Sequence, residues 1–428
     1  MLLTGLYPGK NGIWNNCLVG RNEDLKDDVK TITDLFFEEG YNTAYFGKCH
    51  WKMPQPFFDE VGNYVGKAEA PGGNYPNKYD IYIPPGPARH HIEYFYQSVK
   101  DSHFHPLIYS NDPTTIEGKK DGEIHQPTVY TPKNEAEKIV GYLRNKNNVR
   151  DTDKPFCMIW SLNPPHSPYD DANTHMPFLR KYYDKDKFPH IDSNLVVRKN
   201  ASLKVADFAR NYFAAVTSVD FYIGQVLNEL EKMGELDNTI VLLSSDHGEL
   251  MGSHELTGKN HVETESLAVP LIVHWSKGLK ADINDALFGT PDIMPTLMGL
   301  AGMSNKIPKQ VEGNNFSTLL LNKTTKKIPQ PEAVLIMLGN SRGVHTKRYT
   351  LTVTENKKEW ESKVATKVDA TFIYDNLKDP YQLHEMSLEE LPEVSKQLLS
   401  ELGTLLKKYN DPWYQKRKYS QVIPYPKG

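Results

Sequence analysis

The chain has 428 residues, 39% hydrophobic and 24% charged, which is enough to bury a large core in two or three units of about 150 residues. Its 50 basic and 54 acidic residues leave a net charge of -4, which excludes the broad basic field of a nucleic-acid binder but allows a local patch around an anionic substrate. No apolar run reaches the roughly 18 residues of a membrane-spanning helix, and the mean hydropathy is -0.57. Cys17, Cys49 and Cys157 follow no disulfide or zinc-ligand spacing, so the redox compartment stays open.

The opening "MLLTGLYPGKNG" reads as a helix end running into a turn, with Leu2, Leu3 and Leu6 in need of apolar partners, and it lacks the composition of a signal peptide. "VKTITDLFFEEGYNTAYFGKCHW" predicts an amphipathic helix on Ile32, Leu35 and Phe36, a stop at Gly40 and a short strand "TAYFG". From Trp51 to Pro132 periodicity gives way to Pro, Gly, Tyr and His, which predicts long loops and a wall of a specificity pocket or plain surface packing. "NEAEKIVGYLRNK" predicts a helix, "PFCMIWSL" a strand buried on both faces, and "NPPHSPY" a break after it. A long helix follows within "KVADFARNYFAAVTSVDFYIGQVLNELEKMG", then buried strands "TIVLLSS" and "VPLIVHW" and a helix "TPDIMPTLMGLAGM". Alternating helix and buried strand imply an α/β fold, a mostly parallel central sheet with helices on both faces.

Beyond Pro329 the pattern changes to strands "AVLIML", "RYTLTV" and "TFIYDN" and one amphipathic helix "EVSKQLLSELGTLLKKYN". This predicts a small C-terminal antiparallel sheet with a helix, and divides the chain into an α/β catalytic domain at 1–329 and an α+β subdomain at 330–428. The Lys-rich "KRKYS" reads as a solvated end.

The chemistry concentrates after the predicted strands. "TIVLLSSDHG" ends an apolar strand in Asp246 and His247, a hard oxygen and a borderline nitrogen suited to a divalent cation, with Gly248 allowing close backbone approach. Taken alone, the tripeptide more often marks a turn capped by Asp246, with His247 a loop histidine. Lys48 and His50 in "FGKCHW" pair a cation with a proton donor, which suits an oxyanion such as sulfate or phosphate. His166 stands in a proline-stiffened loop, and Lys259 and His261 follow the Asp-His-Gly segment closely enough to fold back beside it. Each of these is also compatible with a solvated loop.

Six stretches in order, "LLTGLYPGKNG", "GYNTAYFGKCHW", "PPHSPY", "YFAAVTSVDFYIGQVLNELEKMGELDNTIVLLSSDHGELMGSH", "TPDIMPTLMGLAG" and "FIYDNLKDPYQL", resemble the successive motifs of the type I sulfatases of the alkaline phosphatase superfamily. The resemblance implies hydrolysis of a sulfate ester, on a carbohydrate or other organic sulfate, at one calcium ion with a formylglycine nucleophile made from Cys or Ser. It makes Asp246 and His247 the downstream metal ligands and gives Lys48, His50, His166 and Lys259 catalytic roles around the sulfate; His261 is a further candidate substrate contact by its proximity alone. Many members carry Asn where His247 stands, and His there also occurs in phosphonate and phosphodiester hydrolases, which supply the alternative activity.

In the family, "LLTGLYP" ends the helix whose start carries the nucleophile motif Cys/Ser-x-Pro-x-Arg, preceded by a strand ending in paired aspartates. The resemblance therefore places the formylglycine upstream of Met1 and makes Met1 an internal methionine of a longer reading frame. None of the three cysteines has x-Pro-x-Arg after it, so a non-hydrolysing oxyanion-binding or interaction protein is an alternative reading for the 428 residues taken alone. A sulfated small molecule or glycan is the implied partner, with no nucleic acid and no membrane span, and a periplasmic or secreted location accords with the family.

Overall fold

The computed structural model describes residues 1–15, 17, 23–52, 82–99, 103–112, 121–123, 125–184, 208–321, 330–355 and 368–426. They fall into two compact units, one built from Asn11–Ile191 with Asp207–Thr239, the other from Met1–Lys10 with Ile240–Gly428.

The first unit holds a mixed sheet. Helix α1 (Ile32–Glu38) starts in a capping box, with the Thr31 hydroxyl accepting from the Asp34 N–H and the Asp34 carboxylate accepting from the Thr31 N–H. Its Ile32, Leu35 and Phe36 are buried, as the spacing predicts. Strand β1 (Asn42–Gly47) lies between β2 (Tyr94–Val99) and β4 (Phe156–Ser161), parallel to both, and β3 (Leu107–Ser110) pairs antiparallel with β2. Helices α2 (Thr131–Leu143) and α3 (Ala209–Lys232) cover one face. There Ala44 and Phe46 of β1 and Tyr94 and Tyr96 of β2 pack with Ile139, Tyr142, Tyr222, Val226 and Leu230. On the opposite face Tyr45 meets Trp51 edge-on at 5.1 Å, and the Arg89 guanidinium lies over Phe95 at 4.4 Å.

The span read as loops thus contains β2 and β3. Tyr94, Phe95 and Tyr96 bury their rings on both faces of the sheet, and that long-range packing overrides the local Pro, Gly and His content. Within that span, residues 53–81, 100–102, 113–120 and 124, candidates for the specificity wall, lie outside the described residues.

In the second unit, β5 (Val241–Ser244) and β6 (Leu271–His274) pair antiparallel with each other, and among the described residues no third strand joins them. They are not the doubly buried strands that their apolar runs predict: Leu243, Leu271 and Ile272 are 38%, 38% and 56% exposed. Two strands without a layer on each face cannot cover their own side chains. Helix α4 (Ile293–Leu300) is almost wholly buried, and Gly5 of the opening stretch packs on Met294 and Pro295.

The C-terminal sheet runs β10-β9-β8-β7, antiparallel throughout, from β7 (Val334–Met337), β8 (Ser341–His345), β9 (Tyr349–Glu355) and β10 (Val368–Asp375). Helix α5 (Pro392–Lys408) lays Leu398, Leu402, Leu405 and Leu406 on Val344, Leu351, Val353 and Ile373. Tyr7 joins this core and stacks on Tyr409 at 3.9 Å, and Leu6 is buried too, so part of the apolar opening stretch finds its partners here. The segment "KRKYS" is not a solvated end, because Tyr419 is buried with its hydroxyl on Glu355 and Lys418 pairs with the same carboxylate. Among the described residues no helix is long and apolar enough to cross a membrane.

Candidate active site

Lys48, His50 and His166 leave the carboxyl ends of neighbouring parallel strands. Gly47 closes β1 opposite Ser161 of β4, and a Cβ at Gly47 would stand 2.0 Å from the Ser161 carbonyl oxygen, so only glycine permits this approach. The Lys48 N–H donates to that same carbonyl at 2.9 Å, and the Tyr45 hydroxyl donates to the Lys48 carbonyl at 2.5 Å. The peptide carrying Lys48 is therefore pinned from two sides.

After β4, the His166 N–H donates to the Asn163 carbonyl at 3.0 Å. The His166 Nδ1–H donates to the Ser167 carbonyl at 2.9 Å. A carbonyl can only accept, so in the neutral ring the lone pair sits on Nε2, the atom that takes up or releases a proton. Lys48, His50 and His166 are all partly exposed, as groups that meet a ligand must be.

The remaining candidates belong to the second unit and gather around Ser266. Its carbonyl accepts the Gly248 N–H at 2.9 Å and its hydroxyl accepts the His261 N–H at 3.2 Å, which joins the Asp-His-Gly turn to the segment carrying Lys259 and His261. Gly248 sits so close to the short helical turn Thr264–Leu267 that a Cβ would lie 1.9 Å from the Glu265 carbonyl oxygen. The glycine thus serves close packing of backbone on backbone. Leu250 and Gly258 close the intervening loop with an N–H to carbonyl bond of 2.9 Å.

Asp246 and His247 fit part of a cation site. The His247 Nδ1–H donates to the Gly248 carbonyl at 2.7 Å, which leaves the Nε2 lone pair 3.5 Å from Asp246 Oδ2. An imidazole nitrogen and a carboxylate oxygen at that separation suit two adjacent ligand positions of a divalent cation. The Asp246 side chain is 83% exposed, so its carboxylate is available to a ligand. Among the described residues no group of three or more acidic, imidazole or thiol side chains could hold a metal, so these two are a partial donor set.

The sequence reading missed the residues that hold these groups in place. Ser266 and Tyr45 carry no motif, and each acts on a backbone group that pattern does not reveal. A third is Glu135 of α2, fully buried, whose carboxylate accepts from Ser98 Oγ at 2.5 Å and Trp160 Nε1 at 2.7 Å. An acid in the middle of a helix pattern signals a solvated face, and only tertiary packing shows otherwise.

The first unit carries ammonium and imidazole groups on neighbouring strand ends, and the second carries an acid and imidazole pair, side-chain chemistry compatible with an oxyanion ligand. Comparison with known proteins gives the family. A sulfatase family model matches residues 1–303, and a model of the C-terminal part of N-sulphoglucosamine sulphohydrolase matches residues 252–408. An endo-4-O-sulfatase of Bacteroides thetaiotaomicron is 36% identical over 99% of this chain and 82% of its own length. An ulvan-active sulfatase of Formosa agariphila is 29% identical over 99% of this chain and 76% of its own length.

A sulfatase structure from work on the metabolism of multiple glycosaminoglycans by Bacteroides thetaiotaomicron superposes with a TM-score of 0.86 at 35% identity, covering 99% of this chain and 86% of that one. A structure solved with D-glucosamine-2-N,6-O-disulfate as substrate shares the fold, with a TM-score of 0.67 at 20% identity over 96% of this chain and 87% of that one. The chain belongs to the sulfatase family and is by that membership a sulfuric ester hydrolase.

Proposed function

We propose that the protein removes sulfate from a carbohydrate, with an internal 4-O-sulfate of a sulfated glycan as its substrate. The observation that carries this is the 36% identity to an endo-4-O-sulfatase along 99% of the chain. In this reading Lys48 and Lys259 bind sulfate oxygens and offset the charge that develops as the ester bond breaks. His166 carries the proton to the leaving sugar oxygen on Nε2, since Nδ1 is held by the Ser167 carbonyl, and His50 is the second candidate for that transfer. His261 contacts the substrate. Asp246 and His247 would supply two ligands to calcium, which when bound polarises the sulfate and neutralises its charge. The nucleophile of this reading is a formylglycine on the Cys/Ser-x-Pro-x-Arg segment.

His247 keeps a second reading open, a phosphodiester or phosphonate monoester hydrolase, because an imidazole at this position also suits those esters. The test compares inorganic sulfate released from 4-O-sulfated oligosaccharides with turnover of an aryl phosphodiester. It uses the purified protein with calcium and a formylglycine-generating system. Faster release from the sulfated sugar is expected. Faster phosphodiester turnover, or calcium binding with no release from either substrate, would overturn the proposal.

A further inference from the structure

Glu135 spans the middle strand of the mixed sheet. Trp160 pairs with Phe46 in register, as does Tyr96, and Ser98 lies two residues beyond Tyr96. One carboxylate therefore ties β2 to β4 across the carboxyl end of β1, at the level where Gly47 gives way to Lys48. Burial pushes this acid up to about 7, opposed by the Ser98 and Trp160 hydrogen bonds. The titratable groups near it are Tyr96 on β2 and Tyr130 at the start of α2 on its own side of the sheet and Tyr45 on the opposite face of β1, all held neutral by burial. Its two hydrogen-bond partners are both uncharged.

The clamp reaches the candidate site through a short covalent and hydrogen-bonded path. Trp160 is followed by Ser161, whose carbonyl holds the Lys48 N–H, and two residues later by Asn163, whose carbonyl holds the His166 N–H. The Asn163 side chain is buried, and among the described residues neither its Oδ1 nor its Nδ2 has a hydrogen-bond partner, so what anchors the loop is its backbone. The loop bearing His166 thus takes its position from the end of β4, which Glu135 fixes through Trp160.

We propose that Glu135 is a positioning residue of the sulfate site, which sets the placement of Lys48 and His166 and couples sulfate binding to its own protonation. This rests on the reading of the protein as a sulfatase that uses Lys48 and His166. A dianion and a buried carboxylate at one sheet edge repel each other, so sulfate binds better when Glu135 carries its proton. By linkage, bound sulfate favours that proton in return. No covalent step is involved.

The test is titration calorimetry with inorganic sulfate, from pH 5.5 to 8.5, on the wild-type protein and on Glu135→Gln. Glutamine mimics the protonated acid, accepting from Trp160 and donating to Ser98 Oγ. The two proteins should bind sulfate equally at pH 5.5, and Glu135→Gln should bind threefold to tenfold tighter at pH 8.5. The two proteins differ only at position 135, so the difference between the curves isolates Glu135. The Trp160 indole N–H resonance, identified by its loss in Trp160→Phe, should move with a midpoint near pH 7 in the wild type and stay fixed in Glu135→Gln.

Trp160→Phe removes one donor of the clamp and should weaken sulfate binding at least threefold at every pH. Parallel binding curves, or a resonance that does not titrate, would reduce Glu135 to a structural residue and overturn the inference alone. Wild-type protein that neither binds sulfate nor desulfates a glycan would overturn the functional reading and this inference with it.

Discussion

The mixed sheet and the C-terminal sheet each have four strands and a helical cover, yet they treat buried acids differently. Under the C-terminal sheet every buried acid described here has a cation. Arg342 Nε meets Asp411 Oδ2 at 2.8 Å, where Asp411 is fully buried and also caps the turn at Trp413, and Glu355 holds Lys418 as well as the Tyr419 hydroxyl. Under the mixed sheet Glu229 of α3 keeps a cation in Arg144, but Glu135 has only a hydroxyl and an indole, and Asp34 has two imidazoles, His90 Nδ1 at 3.1 Å and His91 Nδ1 at 2.7 Å. Paired ions make a scaffold that ordinary pH leaves unchanged. Glu135, held by uncharged partners, responds to it, and it lies in the unit that presents Lys48, His50 and His166.

The sharpest way to break this comparison is to remove a cation from the C-terminal pairs. Arg342→Ala should destabilise the protein by about 3–5 kcal/mol in urea, because it strands Asp411 as a buried charge. A loss below about 1 kcal/mol would mean that water reaches the pair. On the other side, Lys48→Ala in the full-length enzyme should lower kcat/KM by about a hundredfold, with the melting temperature nearly unchanged. Near-normal kinetics would remove Lys48 from the site.

Two pH responses come next. The Glu135 acid is raised to about 7 in the folded protein, against 4.5 for the ordinary acid, so the folded state binds the extra proton. Its stabilising effect is complete below about pH 4.5 and is lost as pH rises through 7, a decline on the order of 3 kcal/mol. Urea midpoints of wild type should fall across that window relative to those of Glu135→Gln.

Asp34 responds the other way. Burial acts to raise its pKa, but hydrogen bonds from His90, Thr31 and His91 overcome this and hold it at about 2, below the ordinary 3.8. Its contribution is present above about pH 4 and disappears as pH falls through 2, on the order of 1–2 kcal/mol, and Asp34→Asn should flatten that acid limb. The smallest effect is expected at the exposed β5 and β6 pair. Ile272→Ser, at a side chain 56% exposed, should change stability by less than about 0.5 kcal/mol, whereas a large loss would show that this face is covered in solution.

Much of the fold was legible because local periodicity reports which face of an element is apolar. It placed α1 on Ile32, Leu35 and Phe36, a strand at "TAYFG", another at "PFCMIWSL" and the final helix on the C-terminal sheet. The motif order identified the family and the candidate residues, since a strand end followed by Lys, His or Asp-His is written in adjacent letters. The sequence by itself thus determined the family, the candidate residues and the local elements that bear them.

Tertiary structure alone decided the rest. Periodicity does not say which strand lies beside which, so the antiparallel pairing of β5 with β6 and the placing of β2 and β3 inside a stretch of loop-like composition came only from packing. β8 escaped notice because "SRGVH" lacks an apolar alternation, its Arg342 being buried against Asp411. The supports of the site escaped for the same reason. Glu135 meets Ser98 37 residues away and Trp160 25 residues away, and a hydrogen bond between positions so far apart leaves no trace in the local pattern of either.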